Sequence, residues 1–175
     1  MNTMTRLTTL FALITAMTLP TLSPATESTQ PQAAAFYTLV GKWQGQGEFG
    51  ETGQPPAKLA LNLECQKTSA GFGVSCHMQA SNKEMAMAET DLFGFDPVSN
   101  TFHWYSVTNT GETHDHQAQW IDAHTMKANY TWTQEGAQMA ENITMKFNGN
   151  HDMLFESIVS QNGQKVAHFK GTLKQ

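Results

Sequence analysis

The chain has 175 residues, and 10 Lys+Arg against 15 Asp+Glu give it a formal charge of −5 with neutral histidines. Its only arginine is Arg6; past residue 25, nine lysines face fifteen acids, net −6. That balance excludes a basic nucleic-acid face, and the missing arginines argue against bidentate recognition of phosphate or carboxylate, leaving lysine, histidine or backbone to hold any anionic ligand.

Met1 to Arg6 carry one positive charge and precede an apolar run, Leu7 to Leu19, then Pro20 and a small-residue stretch ending Ser23-Pro24-Ala25. This is the pattern of a secretory signal peptide over residues 1–25. The run is too short to span a bilayer, and no later stretch approaches about 20 apolar residues. No cysteine follows it to accept a lipid anchor. A periplasmic or secreted, soluble product with no stable membrane insertion is therefore expected. Residues 26–35 are polar, contain proline and show no periodicity, which predicts a flexible or weakly helical segment ahead of one domain over residues 36–175.

From Trp43 onward the hydrophobic signal has period two, interrupted by turn residues every 8 to 12 positions or so. Trp43, Gly45, Gly47 and Phe49 share one face; Leu59, Leu61, Leu63 and Cys65 repeat the pattern. A turn over Thr68 to Gly71 leads to Phe72, Val74, Cys76, Met78 and Ala80 on one side. The strand around Met85 to Phe93 is ambiguous and Phe102 to Thr108 is too apolar on both faces to orient; they flank the turn Asp96-Pro97-Val98-Ser99-Asn100, and a bulge is expected around Met85 to Asp91 and Phe102 to Thr108. Then His114, His116, Ala118 and Trp120 oppose polar neighbours, as do Met126, Ala128, Tyr130 and Trp132. Met139, Glu141, Ile143, Met145 and Phe147 follow, then Met153 to Val159 and Lys165 to Lys174. No long helix is predicted.

About ten short strands with no room for crossover helices predict an all-β, antiparallel up-and-down barrel, with a sandwich as the alternative. At this strand number the interior is expected to be wider than its own side chains fill, leaving a ligand cavity. Cys65 and Cys76 fall opposite each other about the predicted turn, so a cross-strand disulfide is expected after export.

The segment Leu39-Val40-Gly41-Lys42-Trp43-Gln44-Gly45-Gln46-Gly47 resembles the first strand of the calycin barrels, which include lipocalins, fatty-acid-binding proteins and nitrobindins. Leu92-Phe93-Gly94-Phe95-Asp96-Pro97 and Gly163-Gln164-Lys165, with the final Thr172-Leu173-Lys174, resemble more closely a secreted bacterial lipocalin-like family of unknown function. The resemblance covers residues 36–175. It implies a structural role for Trp43, closing one barrel end, with Gly45 and Gly47 allowing tight coiling. It says little about activity.

The chemistry-bearing residues on the predicted inner face are few. His114 and His116, two apart on a strand, place both imidazoles on one side within reach of one ion, a known zinc-ligand spacing. Glu141 shares that parity; Asp115, between the histidines, should face outward. The plainer reading has the histidines solvated, hydrogen-bonded to Tyr130 or Glu141, or holding the polar head of a ligand. Tyr130, Trp132, Met126 and Met145 would line such a site, and an interior with Met85, Met87, Met126, Met139, Met145 and Met153 suits an adaptable apolar ligand. The leading expectation is thus an exported monomer or weak homodimer that binds a small apolar or amphipathic molecule such as a lipid, fatty acid or aromatic.

Three alternatives remain open. One is a zinc or haem barrel; the nitrobindin resemblance implies a haem-ligating histidine on a late strand, for which His168 is nearest, although Ala167, Phe169 and Leu173 would turn it outward. Another is a small isomerase or hydrolase using interior His and Glu, without a nucleophile elbow, phosphate loop or HExxH motif. The third is an envelope structural protein with a filled core. His77, His103, His124 and His151 read as surface residues, and Asn129 and Asn142 head glycosylation-type triplets inside strands.

Overall fold

A computed structural model describes residues 33–149 and 151–175. The signal peptide expected over residues 1–25 and most of the flexible segment, residues 26–32, lie outside them. Ten strands follow a short 3₁₀ helix, Ala33–Leu39: β1 Gly41–Glu51, β2 Ala57–Thr68, β3 Gly73–Ser81, β4 Ala86–Asp96, β5 Thr101–Thr108, β6 Thr113–Asp122, β7 Thr125–Gln134, β8 Ala137–Asn148, β9 Asp152–Gln161 and β10 Gln164–Lys174. Each pairs with its chain neighbours, and β1 pairs antiparallel with β10 from Gln44–Lys174 to Glu51–Ala167, closing the barrel. Among the described residues every strand is therefore paired on both sides over at least part of its length. No helix among the described residues is long and apolar enough to cross a membrane.

Alternation along the strands builds the interior. Trp43, Leu61, Val74, Phe93, Met126 and Met153 are each 2% exposed or less, while outward partners such as Lys42, Gln44, Asn62 and Glu64 are solvated. Gly45 is required by geometry: a Cβ there would lie 1.8 Å from the Thr172 carbonyl oxygen of β10. Gly47 faces Gly171 across the β1–β10 pair, and Leu61 occupies the space both leave free, so that a Cβ on Gly171 would sit 2.5 Å from its Cδ1.

The topology gives the barrel two unlike ends. The turns β2–β3, β4–β5, β6–β7 and β8–β9 lie at the end covered by the 3₁₀ helix. Phe36 of that helix is fully buried, its ring 5.4 Å from Phe93, 5.2 Å from Phe102 and 6.5 Å from Trp120. Trp43 Nε1 donates to the Leu39 carbonyl at 2.8 Å, and the Tyr37 hydroxyl donates to Gly71 O at 2.5 Å. Residues 33–35 of this plug fall within the segment expected to be flexible or weakly helical. The five remaining hairpins form the opposite end, hereafter the mouth.

Between the ends the interior is full. The enclosed void, lined by Leu39, Met78, Trp104, Met145 and Met153 among others, is about 20 Å³, room for roughly one water molecule. Among the described residues the core void is far smaller than strand number led one to expect, because large side chains, joined by Phe36 from the helix, meet across the barrel. A depression of about 510 Å³ is an open groove on the outer surface lined by residues such as Glu48, Lys58, Lys146 and Lys170.

Cys65 and Cys76 pair in register across β2 and β3 and form a disulfide, with Cα atoms 4.1 Å apart. Three local expectations need correction. Phe72 is 40% exposed, because it ends the turn before β3 begins at Gly73. Met87 has inward parity, opposite buried Ala80, yet sits at the rim and is 37% exposed. The two unorientable strands, β4 and β5, pair without a register shift; the irregularities fall instead between Trp120 and Asp122 in β6 and between Lys165 and Ala167 in β10. In β4 and β5 the alternation fails because outward positions Leu92, Tyr105 and Val107 are apolar and 44–49% exposed, not because a residue is inserted.

Candidate ligand-binding site at the barrel mouth

Period two on β6 turns His114 and His116 inward, and the same parity on β8 turns Glu141 toward them. Tyr130 of β7 lies between, paired directly with Glu141. The result is one connected polar cluster. His116 Nε2 lies 2.9 Å from Glu141 Oε2, and His114 Nδ1 lies 3.7 Å from the same oxygen. Ser157 of β9 donates its hydroxyl to Glu141 Oε1 at 2.5 Å. His116 Nδ1 sits 3.3 Å from the Trp104 carbonyl of β5. The second shell thereby holds both Glu141 and His116 in place.

An aromatic stack forms the wall beside these groups. The His114 ring lies 4.7 Å from Tyr130 and 5.7 Å from Trp132, inclined by 20° and 21°, and Tyr130 and Trp132 stack at 5.3 Å. Of the residues expected to line a site, the structure therefore gathers His114, His116, Tyr130, Trp132 and Glu141. Met126 and Met145 face each other across β7 and β8, deeper in the core at 1% and 4% exposure. Met145 borders the small void; Met126 lies toward the plug.

Strand pairing ends early here. Pairing of β6 with β7 runs from Asp122–Thr125 to Gln117–Asn129, and no further pair is formed among the described residues. Yet β6 stays paired with β5 as far as Val107–Thr113, and β7 with β8 as far as Gln134–Ala137. The seam between β6 and β7 thus parts over the residues that carry the two histidines, Tyr130 and Trp132. The side chain of His116 is only 2% exposed, while those of His114 and Glu141 are 20% and 16% exposed. The cluster is reached from the mouth without lying on the surface.

Burial alone would raise the Glu141 carboxyl; hydrogen bonds from His116 and Ser157, with the positive fields of both histidines, outweigh it and hold the group below the ordinary carboxylate range. A second interior acid behaves oppositely. Asp91 of β4 is 3% exposed, and burial, reinforced by neighbouring Glu89, pushes it well above that range although Trp104 Nε1 donates to it at 2.6 Å. Ser106 of β5 is fully buried, pairs with Asp91 on one side and His114 on the other, and its Oγ has no partner among the described residues.

Asp91, Trp104, Ser106 and Ser157 are the members of this polar interior that sequence reasoning did not single out. The first three sit on the two strands whose alternation is masked. Their one visible signal is the carboxyl of Asp91 two positions from Phe93. Neither Ser106 nor Ser157 hydrogen-bonds a histidine ring, so no serine–histidine nucleophile pair is formed.

The remaining histidines lie elsewhere. His103 Nδ1 pairs with Asp115 at 3.0 Å on the outer surface, and His77 contacts Thr90 and Gln79 there. His124 and His151 are exposed. His168 packs outside over Gly50, where a Cβ would come within 2.6 Å of its Cε1, while Phe169 turns in. An outward His168 and a filled interior do not fit a haem.

No protein-family profile and no curated protein matches the sequence. Solved structures do match in shape. The crystal structure of Rv2717c from M. tuberculosis superposes with a TM-score of 0.61 at 12% identity, covering 84% of this chain and 98% of that one. The S-type phycobiliprotein lyase CPES from Guillardia theta gives 0.57 at 9% identity, over 80% and 89%. A protein of unknown function of the DUF3598 family from Nostoc punctiforme gives 0.54 at 13% identity; there this chain spans about half of the longer protein, 48%, with 80% of its own length. At such identities the likeness is one of fold alone, in keeping with the closed antiparallel barrel.

Proposed function

We propose that the protein is an exported barrel that binds a small amphipathic molecule at its mouth, where the β6–β7 seam parts. The carrying observation is the coincidence of that opening with a partly buried polar cluster and a flat aromatic wall. The polar group of the ligand would meet His114, His116 and Glu141, and its ring or chain would lie on Tyr130 and Trp132. Deeper insertion would be accommodated by Met78, Met145 and Met153 around the small void, since thioether side chains repack readily. The leader-like first 25 residues and the disulfide support an oxidising, extracytoplasmic location. Among the solved structures of similar fold, one is by its name a phycobiliprotein lyase, which is compatible with ligand handling in this fold.

N-phenyl-1-naphthylamine, an uncharged amphipathic aromatic whose emission rises in apolar surroundings, tests the site directly. One saturable site is expected, weakened about tenfold by Trp132→Ala, a loss of roughly 1.4 kcal/mol, and unchanged by Tyr105→Ala on the outer face. Loss of binding in Tyr105→Ala with full binding in Trp132→Ala would move the site outside the barrel and contradict the proposal.

A further inference from the structure

We infer that His114, His116 and Glu141 form a three-ligand site for a divalent transition-metal ion, zinc foremost, whose fourth position opens toward the mouth. The donor atoms come from two strands separated by β7 and all lie within 4.8 Å of one another. Zinc bonds of about 2.0–2.2 Å in a tetrahedron require donors roughly 3.3 Å apart. The two contacts to Glu141 Oε2, 2.9 Å from His116 Nε2 and 3.7 Å from His114 Nδ1, bracket that value. Small side-chain rotations would place all three on one ion.

The hydrogen bonds around the cluster orient it for a cation. The Trp104 carbonyl can only accept, so His116 Nδ1 carries the hydrogen in that contact, and the Nε2 hydrogen that Glu141 accepts in the metal-free site is the one an ion would replace, taking up the Nε2 lone pair. A lone pair facing a carboxylate oxygen at 2.9 Å needs a positive centre between them, a proton or a metal ion. Ser157 occupies Oε1 and leaves Oε2 as the single ligating oxygen. Carbonyl–histidine and hydroxyl–carboxylate contacts of this kind are what fix ligand orientation in metal sites. Two imidazoles and one carboxylate favour zinc or its neighbours over calcium and magnesium, which demand more oxygen ligands.

Three protein ligands leave one coordination position for water or a ligand group. Ser106 supplies a second pointer to an occupant. Its hydroxyl is fully buried, unpartnered among the described residues, and on the strand position directly across from His114. A buried hydroxyl without a partner is costly, and a metal-bound water or ligand atom is a partner of the right chemistry. The metal would supply Lewis acidity to that atom. This inference deepens the proposed binding reading and rests on it only for what takes the fourth position.

The test is calorimetric titration of zinc chloride, without other ligand, into the disulfide-bonded full-length secreted protein, repeated with cobalt(II) to read the visible absorption of a tetrahedral ion. The expected result is one ion per chain with proton release, a tetrahedral cobalt spectrum, and affinity reduced at least about 100-fold in His116→Ala and Glu141→Gln. Ser157→Ala should lose about 10- to 100-fold while keeping the same stoichiometry. His103→Ala, on the outer face, should bind as wild type. Absence of binding in the wild-type protein overturns the inference, and so does binding that survives in well-folded Glu141→Gln while vanishing in His103→Ala. Failure is separable from failure of the binding reading: naphthylamine bound without zinc leaves the mouth site and removes the metal, and zinc bound without naphthylamine leaves the metal and removes the amphipathic ligand.

Discussion

The two ends of the barrel solve opposite problems with similar numbers of residues. At the plugged end Phe36, Phe93, Phe102 and Trp120 meet edge to face or tilted, and the polar atoms of Trp43 and Tyr37 are spent on holding the helix to the rim. At the mouth Tyr130, Trp132 and His114 lie nearly parallel beside a partly buried carboxylate, and pairing between the strands that carry them ends. Tilted aromatic packing fills volume; parallel stacking beside an opening leaves a flat surface for another ring or chain. If the plug serves stability and the mouth serves binding, as proposed, substitutions should separate them.

The largest effect should come from the plug. Phe36→Ala removes a fully buried ring from an aromatic cluster and should lower unfolding free energy by about 3–5 kcal/mol in denaturant titration, with naphthylamine binding at the mouth unchanged once the protein is folded. A matching loss of binding would mean the two ends are coupled. Removing the β2–β3 staple with the double change Cys65→Ala and Cys76→Ala should follow, at about 2–3 kcal/mol for so short a loop, again without effect on the mouth.

Substitutions at the mouth should be smaller for stability and larger for binding. Glu141→Gln should destabilise by about 1–2 kcal/mol at neutral pH, since it weakens charge-assisted hydrogen bonds from His116 and Ser157. The sign of its pH dependence follows from a folded carboxyl held below the ordinary range: the wild-type contribution is full above that range and is lost as pH falls through it toward the lower folded value. Thermal unfolding of wild type and variant should converge on acidification; parallel curves down to pH 2 would contradict the pairing. Asp91→Asn should have the opposite sign. The folded protein keeps the Asp91 proton above the pH at which the unfolded chain releases it, so wild-type stability declines as pH rises from the ordinary carboxylate range toward the raised value. Asn retains an acceptor for Trp104 Nε1 and cannot ionise, so the variant should gain up to about 1 kcal/mol, more at pH 8 than at pH 5.

Much of this contrast was legible in the sequence. Period-two alternation carried the ten-strand barrel, the spacing about one turn carried the Cys65–Cys76 bridge, and parity carried His114, His116 and Glu141 to a common interior. The plug was not legible, because a seven-residue 3₁₀ helix has no period long enough to recognise and Phe36 gains its meaning only from three rings that arrive later in the chain. Asp91, Trp104 and Ser106 stayed hidden because outward Leu92, Tyr105 and Val107 erase the contrast between faces. The fullness of the core depends on which large side chains meet across the barrel, a property of register and closure rather than of any one strand. The parting of β6 from β7 likewise has no local signature in either strand.

The claim that the mouth is the working end is tested most directly by native mass spectrometry of the protein isolated from the cells that make it, beside the same sample denatured and beside Trp132→Ala. The account predicts a defined excess mass on the folded wild-type protein that disappears on denaturation and is diminished in the variant. A folded wild-type protein at the bare disulfide-bonded mass, or an excess mass equally held by Trp132→Ala, would contradict it.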